Sequence, residues 1–318
     1  MSKNRQRSNR LLLIYNTCGI SNQENDDHYV HALRAILSEA NLEDCVVISA
    51  CLNAPRVKMR LLNQFASRGV NFNFIEEKLP VNVTFNHSVL QTVKRRGRFA
   101  GYMYIDSGIT LRPGTLTGLR RRVESNHCAM IAAECANDTG YKWWFGTETL
   151  PGTAPDFHMP IGKTTNLHAQ VFSDELFEAY DHRIIPDIFA SWSTESVFTF
   201  MCAAIKKKFC VCRGLLVDHI INMDGGASGF RDGNFGHWDH TFRSPRTMTE
   251  IIADPEGISA GFGYEEFRQV LMHDPSQFDE NLHCKNEKLR EFIKQNLFLP
   301  KDRLDYETVA HTYVEGGG

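Results

Sequence analysis

The stretch Phe99-Ala-Gly-Tyr-Met-Tyr-Ile-Asp-Ser-Gly-Ile-Thr-Leu111 decides the fold of this chain. Its aromatic and branched residues predict a short buried strand that ends abruptly at Asp106-Ser107-Gly108. Open α/β sheets bind their ligands outside the carboxyl ends of such strands. A carboxylate at this point can face a ribose hydroxyl or a metal-bound phosphate. Asp, Ser and Gly are also ordinary turn residues, so the stretch by itself leaves both interpretations open.

The residues on either side of this strand alternate between strand and helix patterns. Before it, strands are predicted at residues 11–16, 45–51 and 71–75, and helices at residues 28–40, 55–65 and 85–94. After it come a helix at 115–124, a strand at 128–135, helices at 173–180 and 193–205, and a strand at 209–217. This order predicts an α/β fold with a mostly parallel central sheet, right-handed crossovers and flanking helices.

The chain is predicted to have three parts. Residues 1–10 form a flexible basic tail, residues 11–235 the α/β domain, and residues 236–318 a mainly helical extension packed on that domain. Inside the domain, residues 136–160 are rich in Gly, Pro, Thr and aromatic residues. A long irregular stretch of this kind indicates either a binding loop or a disordered segment.

The overall composition is that of a soluble globular protein, with 318 residues, 42% hydrophobic residues and a formal net charge of −3. This charge gives no global reason to expect a polyanionic partner. No apolar segment is long enough for a membrane span or a secretory signal. The nine cysteines are scattered, mostly through apolar runs, so we expect buried reduced thiols and a cytoplasmic protein. No second cysteine pair completes a zinc site with Cys210 and Cys212, which are assigned to the core.

Three groups at the ends of predicted elements have side chains suited to catalysis. Asp106 ends the central strand, Glu195 lies in the first turn of an apolar helix, and His219 follows a later strand. Glu195 is either a general base or an acid that favours the positive end of the helix dipole. His219 is either a metal ligand or a structural residue. The hypothesis that follows is that the three side chains share one cleft.

Several common nucleotide-binding and hydrolase classes are disfavoured by their missing motifs. No G-x-G-x-x-G follows the first strand, and no G-x-S-x-G is present. Gly162-Lys163-Thr164 lacks the upstream glycine of a P-loop, because position 157 is Phe. A dehydrogenase, a P-loop ATPase and an α/β-hydrolase are therefore not expected.

In the order of its motifs, the region from about residue 10 to residue 230 resembles a GT-A fold glycosyltransferase of the family 2 type. Tyr104-Ile-Asp-Ser-Gly-Ile-Thr-Leu111 resembles the D-x-D region, and Trp192-Ser-Thr-Glu195 resembles the segment that holds the catalytic base of inverting members. The strand ends at Tyr15-Asn16-Thr17 and Val47–Cys51 resemble the family's nucleotide-contacting edges. The resemblance implies a GT-A type (Rossmann-like) fold. The residues that it implies for nucleotide and diphosphate binding are Tyr15, Asn16, Thr17, Ala50, Asn86, Asp106, Ser107, Gly108 and Ser228.

One departure from the family pattern concerns the metal. Gly108 stands where the family has the second carboxylate of D-x-D, the residue that usually meets the divalent ion. The resemblance then leaves Asp106 and His219 as ligands for Mn²⁺ or Mg²⁺, or else a metal-independent enzyme.

The function implied by the resemblance is sugar transfer from a nucleotide-sugar, with a UDP-sugar favoured, to an acceptor hydroxyl. Glu195 would act as the base of an inverting hexosyl- or pentosyltransferase. The acceptor side would be shaped by the loop at 138–168, with Trp143, Trp144, His158 and His168. The expected acceptor is a glycan. Alternatives are a hydroxymethylated base in DNA, contacted by basic residues such as Arg120 to Arg122, and a catalytically inactive glycan- or nucleotide-binding module, which Gly108 favours.

Overall fold

The structure is a computed structural model that describes most of the α/β domain and parts of the C-terminal region. The described residues are 9–17, 26–50, 55–76, 81–125, 128–136, 156–161, 167–186, 197–219, 277–285, 287–298 and 305–317. In this part of the chain, no helix is both long and apolar enough to span a lipid bilayer.

The first half is the predicted alternation of strands and helices. Its elements are β1 (Leu11–Asn16), α1 (Asp26–Glu39), β2 (Cys45–Ala50), α2 (Pro55–Phe65), β3 (Asn71–Ile75), α3 (Val81–Arg96) and β4 (Gly101–Asp106). β1 lies between β2 and β4 and is parallel to both, and β3 extends the parallel set beyond β2. The predicted order of strands and helices is confirmed here, although α3 begins four residues earlier than the sequence predicts.

The second half supplies strands of both directions. Its elements are β5 (Ile109–Leu111), α4 (Thr115–Glu124), β6 (Cys128–Cys135), β7 (Phe157–His158), β8 (Ala169–Ser173), α5 (Asp174–Ala179), α6 (Phe198–Ala204), β9 (Lys208–His219), α7 (Glu287–Asn296) and β10 (His311–Val314). The described strands form one sheet in the order β10-β3-β2-β1-β4-β8-β6-β9-β5, and β7 pairs with β9. β8 is antiparallel to both of its neighbours, β4 and β6, whereas β9 is parallel to β6.

Helices cover both faces of this sheet, which explains the unbroken apolar run of β1. Leu12 and Ile14 point into a core that includes side chains of α3, α5, α6 and α7. Leu11, Leu13 and Tyr15 point into a second core, against α1, α2 and α4. Strands buried on both faces need apolar residues at every position rather than at alternate ones. The predicted α/β class, a large central sheet flanked by helices, is confirmed.

The C-terminal region adds a strand that the sequence did not reveal. β10 pairs antiparallel with β3 and covers that edge of the sheet. β10 is then the edge strand itself, and at four residues it presents few unpaired backbone groups for unwanted association. His-Thr-Tyr-Val is too short for its alternation to distinguish a strand from a loop.

The cysteines follow the expectation of buried reduced thiols with one exception. Among the described residues, five cysteines are free and buried: Cys45, Cys135, Cys202, Cys212 and Cys284. Cys128 and Cys210 instead form a disulfide, with their Cα atoms 6.0 Å apart, so the expectation is wrong for this pair. The two residues are distant in sequence and become neighbours only because β6 and β9 pair in parallel.

Candidate functional site

The carboxyl ends of three parallel strands meet at one edge of the sheet. Asn16 at the end of β1 is in register with Ser49 of β2 on one side and with Asp106 of β4 on the other. Thr17 continues from β1, and both its backbone N–H and its hydroxyl donate to the carbonyl of Ser49, at 2.8 and 3.0 Å. This edge is where open α/β sheets bind ligands.

Asp106 is the half-buried carboxylate at the centre of this edge. The hydroxyl of Tyr104 donates to its Oδ1 at 3.0 Å, and its backbone N–H donates to the carbonyl of His168 at 2.8 Å. Burial raises the pKa of Asp106 above its usual value, although the Tyr104 hydroxyl, the nearby His219 and the N–H groups of Ser107 and Gly108 oppose this shift. A bound cation would offset the cost of burying the charged form.

His219 lies beside the turn that follows Asp106. β5 pairs antiparallel with β9, and this pairing places Ile109 opposite His219. The His168 ring stacks on the His219 ring, with centroids 4.8 Å apart and planes at 30°. Burial, with a smaller contribution from His219, lowers the pKa of His168 to about 3. His168, expected on the acceptor side, is therefore a neutral imidazole packed behind His219 and bonded to Asp106 through its backbone.

Two side chains hold the Ser107 carbonyl from the side of α1. The Nε2 of His28 lies 3.0 Å from this oxygen and donates to it, and the Tyr15 hydroxyl donates to the same oxygen at 2.8 Å. Burial lowers the pKa of His28, even though the Ser107 carbonyl favours the protonated form. Sequence reasoning used His28 only as the start of a helix, because no motif connects it with residue 107. Tyr15 is fully buried, so its effect on a ligand at this edge acts through Ser107.

Two asparagines expected at the nucleotide are buried and bonded within the protein. Asn16 is 1% exposed, and its Nδ2 donates to the Thr84 hydroxyl at 3.2 Å. Asn86 donates to the Ile185 carbonyl at 2.7 Å and to the Tyr306 hydroxyl at 3.1 Å, and its Oδ1 accepts from the backbone N–H groups of Ile184 and Ile185. These four bonds occupy both the NH₂ group and the oxygen of the Asn86 amide, so Asn86 stabilises the local structure. Asn86 is therefore not part of the proposed nucleotide site.

His158 is not brought to the Asp106 edge. It pairs with Cys210 near the start of β9, whereas His219 ends that strand. Measured along β6, which pairs in parallel with β9, the positions of Cys210 and His219 are about 20 Å apart, at about 3.3 Å per residue. The other candidates, Glu195, Ser228, Trp143 and Trp144, lie outside the described residues, and their predicted roles stay predictions.

The similarity to known proteins is visible in structure and not in sequence. No family model matches the chain, and no curated protein sequence matches it. Among solved structures, GalNAc-T7 with UDP, GalNAc and Mn²⁺ aligns with a TM-score of 0.51 at 10% identity, over 90% of this chain and 55% of that one. TarS of S. aureus, residues 1–349 in complex with UDP-GlcNAc, aligns with a TM-score of 0.48 at 11% identity, over 68% of this chain and 61% of that one.

The fold of this chain is that of the GT-A glycosyltransferases. The sheet, its flanking helices and the alignment with GalNAc-T7 show this, and at 10% identity the likeness extends to the fold alone. The chain spans little more than half the length of the GalNAc-T7 chain that it matches. Substrate and mechanism have to be argued from the site itself.

Proposed function

We propose that this chain is a glycosyltransferase that moves a sugar from a nucleotide-sugar donor to an acceptor hydroxyl. The observation that carries this proposal is the meeting of Asp106, His219 and the ends of β1 and β2 at the carboxyl edge of a GT-A sheet. A UDP-sugar is the favoured donor, since the aligned GalNAc-T7 structure contains UDP. The nucleotide would lie over Thr17, Ala50 and Asp106.

The donor set at Asp106 and His219 fits a divalent cation. Asp106 is a half-buried carboxylate whose pKa burial raises, and the His219 ring is held in place by stacking on His168. An imidazole together with a carboxylate suits Mn²⁺ better than Mg²⁺, which prefers oxygen ligands alone. Asp106 and His219 would be the two protein ligands of the cation, with room for phosphate oxygens and water. The cation would offset the charge that develops on the leaving diphosphate.

The residues of the turn would position the donor. Gly108 is buried and has no side chain, so it leaves room at the position where the family has a second carboxylate. His28 and Tyr15 hold the neighbouring Ser107 carbonyl in place, which fixes the backbone that would face the diphosphate.

Glu195 is the proposed base of an inverting displacement. It takes the proton of the acceptor hydroxyl as that oxygen bonds to the anomeric carbon and the bond to the diphosphate breaks. Glu195→Gln should abolish transfer and leave nucleotide binding almost intact. A variant that turns over normally would refute this assignment.

A glycan is the proposed acceptor, and the contacts of the basic residues argue against DNA. Arg120 is buried and pairs with Asp44, with a hydrogen bond of 2.9 Å. Arg122 bonds to Asp156 at 3.0 Å, and Lys207 pairs with Glu175 at 2.9 Å. Cations that are already paired contribute less to phosphate binding. A gel shift with duplex DNA that is strong and salt-sensitive would reverse this preference.

The test of the proposed function is donor turnover measured with a panel of UDP-, GDP- and CMP-sugars. We expect nucleoside diphosphate release from a UDP-sugar, stimulated by Mn²⁺. Nucleotide binding in a thermal-shift assay without any turnover, with or without glycan acceptors, would instead support the inactive binding module.

A further inference from the structure

A second cluster of metal-binding side chains lies at the opposite end of β9 from His219. The thiol positions of Cys128 and Cys210 and one ring nitrogen of His158 all lie within 4.8 Å of one another. The three residues come from β6, β9 and β7, which are adjacent in the sheet. None of them takes part in the proposed sugar transfer, and His158 has no place at the Asp106 edge.

One ligand pair of this cluster already has the spacing that tetrahedral zinc requires. The Sγ of Cys210 and the Nδ1 of His158 are 3.3 Å apart. Zinc bonds of about 2.3 Å to sulfur and about 2.0 Å to nitrogen at a tetrahedral angle place these two ligand atoms about 3.5 Å apart. Two thiolates and an imidazole are a soft ligand set that selects Zn²⁺ over Mn²⁺ and Mg²⁺.

The surroundings of His158 favour the neutral imidazole that zinc binds. Burial and the charge of Lys208 lower the pKa of His158, which favours the neutral imidazole. Lys208 lies opposite Cys128 in the register of β6 and β9, so the same side chain is near both strands of the cluster. His158 is exposed, which gives an ion a path from solvent and leaves the fourth position to water.

We propose that the reduced form of this chain binds one Zn²⁺ through Cys128, His158 and Cys210. The disulfide and the zinc complex are then two alternative ways of joining β6 to β9, and only the zinc complex adds a bond to a side chain of β7. Reduction by a phosphine delivers two electrons to the disulfide and yields two thiols and a phosphine oxide, with water supplying the oxygen and the protons. Zinc binding then forms two Zn–S bonds as the two thiol protons pass to the buffer.

The test uses the untagged full chain, reduced with a phosphine and handled without oxygen. Titration with Co²⁺ should produce thiolate-to-cobalt charge-transfer absorption that saturates at one equivalent, and Zn²⁺ should displace the cobalt. The proposed site at Asp106 and His219 contains no sulfur, so its occupancy cannot produce this signal. This test therefore fails or succeeds independently of the proposed sugar transfer.

His158→Gln is the decisive variant because the side chain is exposed and its loss leaves the core intact. It should weaken Zn²⁺ binding by about 100-fold or more, since loss of a partner outside the ligand shell already costs about 10- to 100-fold. Cys128→Ser should abolish the charge-transfer absorption. Cys45→Ser is the matched control, because a hydroxyl there can still accept the hydrogen bond from Asn71.

Two outcomes would overturn the proposal. One is a reduced wild-type chain that shows no charge-transfer absorption with Co²⁺. The other is wild-type affinity in His158→Gln, which would place the cobalt on other cysteines.

Discussion

The two ends of β9 place different chemistry on one strand. At its carboxyl end, His219 stands beside a half-buried carboxylate and a stacked imidazole, a set of oxygen and nitrogen atoms suited to Mn²⁺ and phosphate. Near its start, Cys210 stands beside a second cysteine and an exposed histidine, a set suited to Zn²⁺ or a disulfide. The same sheet therefore carries a candidate catalytic site at one end of β9 and a candidate structural cross-link at the other. The two are about 20 Å apart, at about 3.3 Å per residue.

The difference shows how the side chains around a sheet edge decide its use. The Asp106 end lies at the carboxyl edge of parallel strands, where the ends of β1, β2 and β4 leave polar groups side by side. At the Cys210 end, the two-residue strand β7 pairs antiparallel with β9. The first arrangement suits a substrate that binds and dissociates, and the second suits a cross-link between strands.

The largest effect is expected from Asp106→Asn. The amide keeps the hydrogen bond from Tyr104 but removes the negative charge that would hold the cation. We expect donor turnover to fall by about 100-fold or more, with little change in the thermal midpoint. Asp218→Asn is the matched control, since Asp218 lies beside His219 but pairs with Arg112 at the surface. Equal turnover in both variants would show that the charge of Asp106 is not needed for catalysis.

Reduction of the Cys128–Cys210 disulfide should destabilise the chain without added zinc. The bond closes a loop with a sequence separation of 82, and loss of such a link costs about 2–4 kcal/mol. Calorimetry of the oxidised and reduced chains should show a lower thermal midpoint after reduction, which Zn²⁺ partly restores. An unchanged midpoint would mean that the two strands are held equally well without the link.

Acid should destabilise the folded chain through two buried histidines, one of which lies beside Asp106. The pKa values of His87 and His168 are lowered to about 3, chiefly by burial. An unfolded histidine protonates near pH 6.5, so below that pH the unfolded chain binds more protons and stability falls as the pH falls. From pH 7 to pH 5.5 we expect a loss of about 2 kcal/mol from these two residues, measured by urea unfolding.

His168→Gln isolates the contribution of the Asp106 end to this pH dependence. The variant removes one of the two titrating groups and should reduce that loss by about half. An identical pH dependence in the variant and the wild type would show that His168 takes up its proton in the folded state.

The smallest effect is expected from Tyr15→Phe. This change removes one of the two donors to the Ser107 carbonyl and leaves the buried ring in place. A single hydrogen bond of this kind contributes about 1 kcal/mol, which corresponds to a change of about fivefold in donor turnover. Ser38→Ala, which removes an exposed bond to the carbonyl of Ala35, is the control. A fall in turnover in both variants would indicate a general loss of stability.

Much of the fold could be predicted because its signals are local. The apolar run of β1 and the helical spacing of α1 and α3 lie within single elements, and the order of elements predicts the parallel sheet. β8 was missed because its five residues follow directly after a stretch interpreted as an irregular loop. With β8 missed, His168 was assigned to that loop, although the strand places it beside Asp106.

The candidate site could be predicted only in part, for the same reason. Asp106 and His219 were found because each ends a recognisable strand. Asn86 was interpreted through a motif, while its buried contacts with Ile185 and Tyr306 depend on segments far away in the chain. His28 carries no sequence signal, because the contact that matters joins it to a carbonyl 79 residues away.

The sequence by itself determined the alternation of elements, the end of β4 at Asp106 and the α/β class, because periodicity and turn chemistry act over a few residues. The tertiary structure alone decided which imidazoles surround Asp106, which residues hold the Ser107 carbonyl, and that Cys128, His158 and Cys210 meet. These contacts join residues tens of positions apart, and their register is set by strand pairing and core packing, which no local pattern encodes.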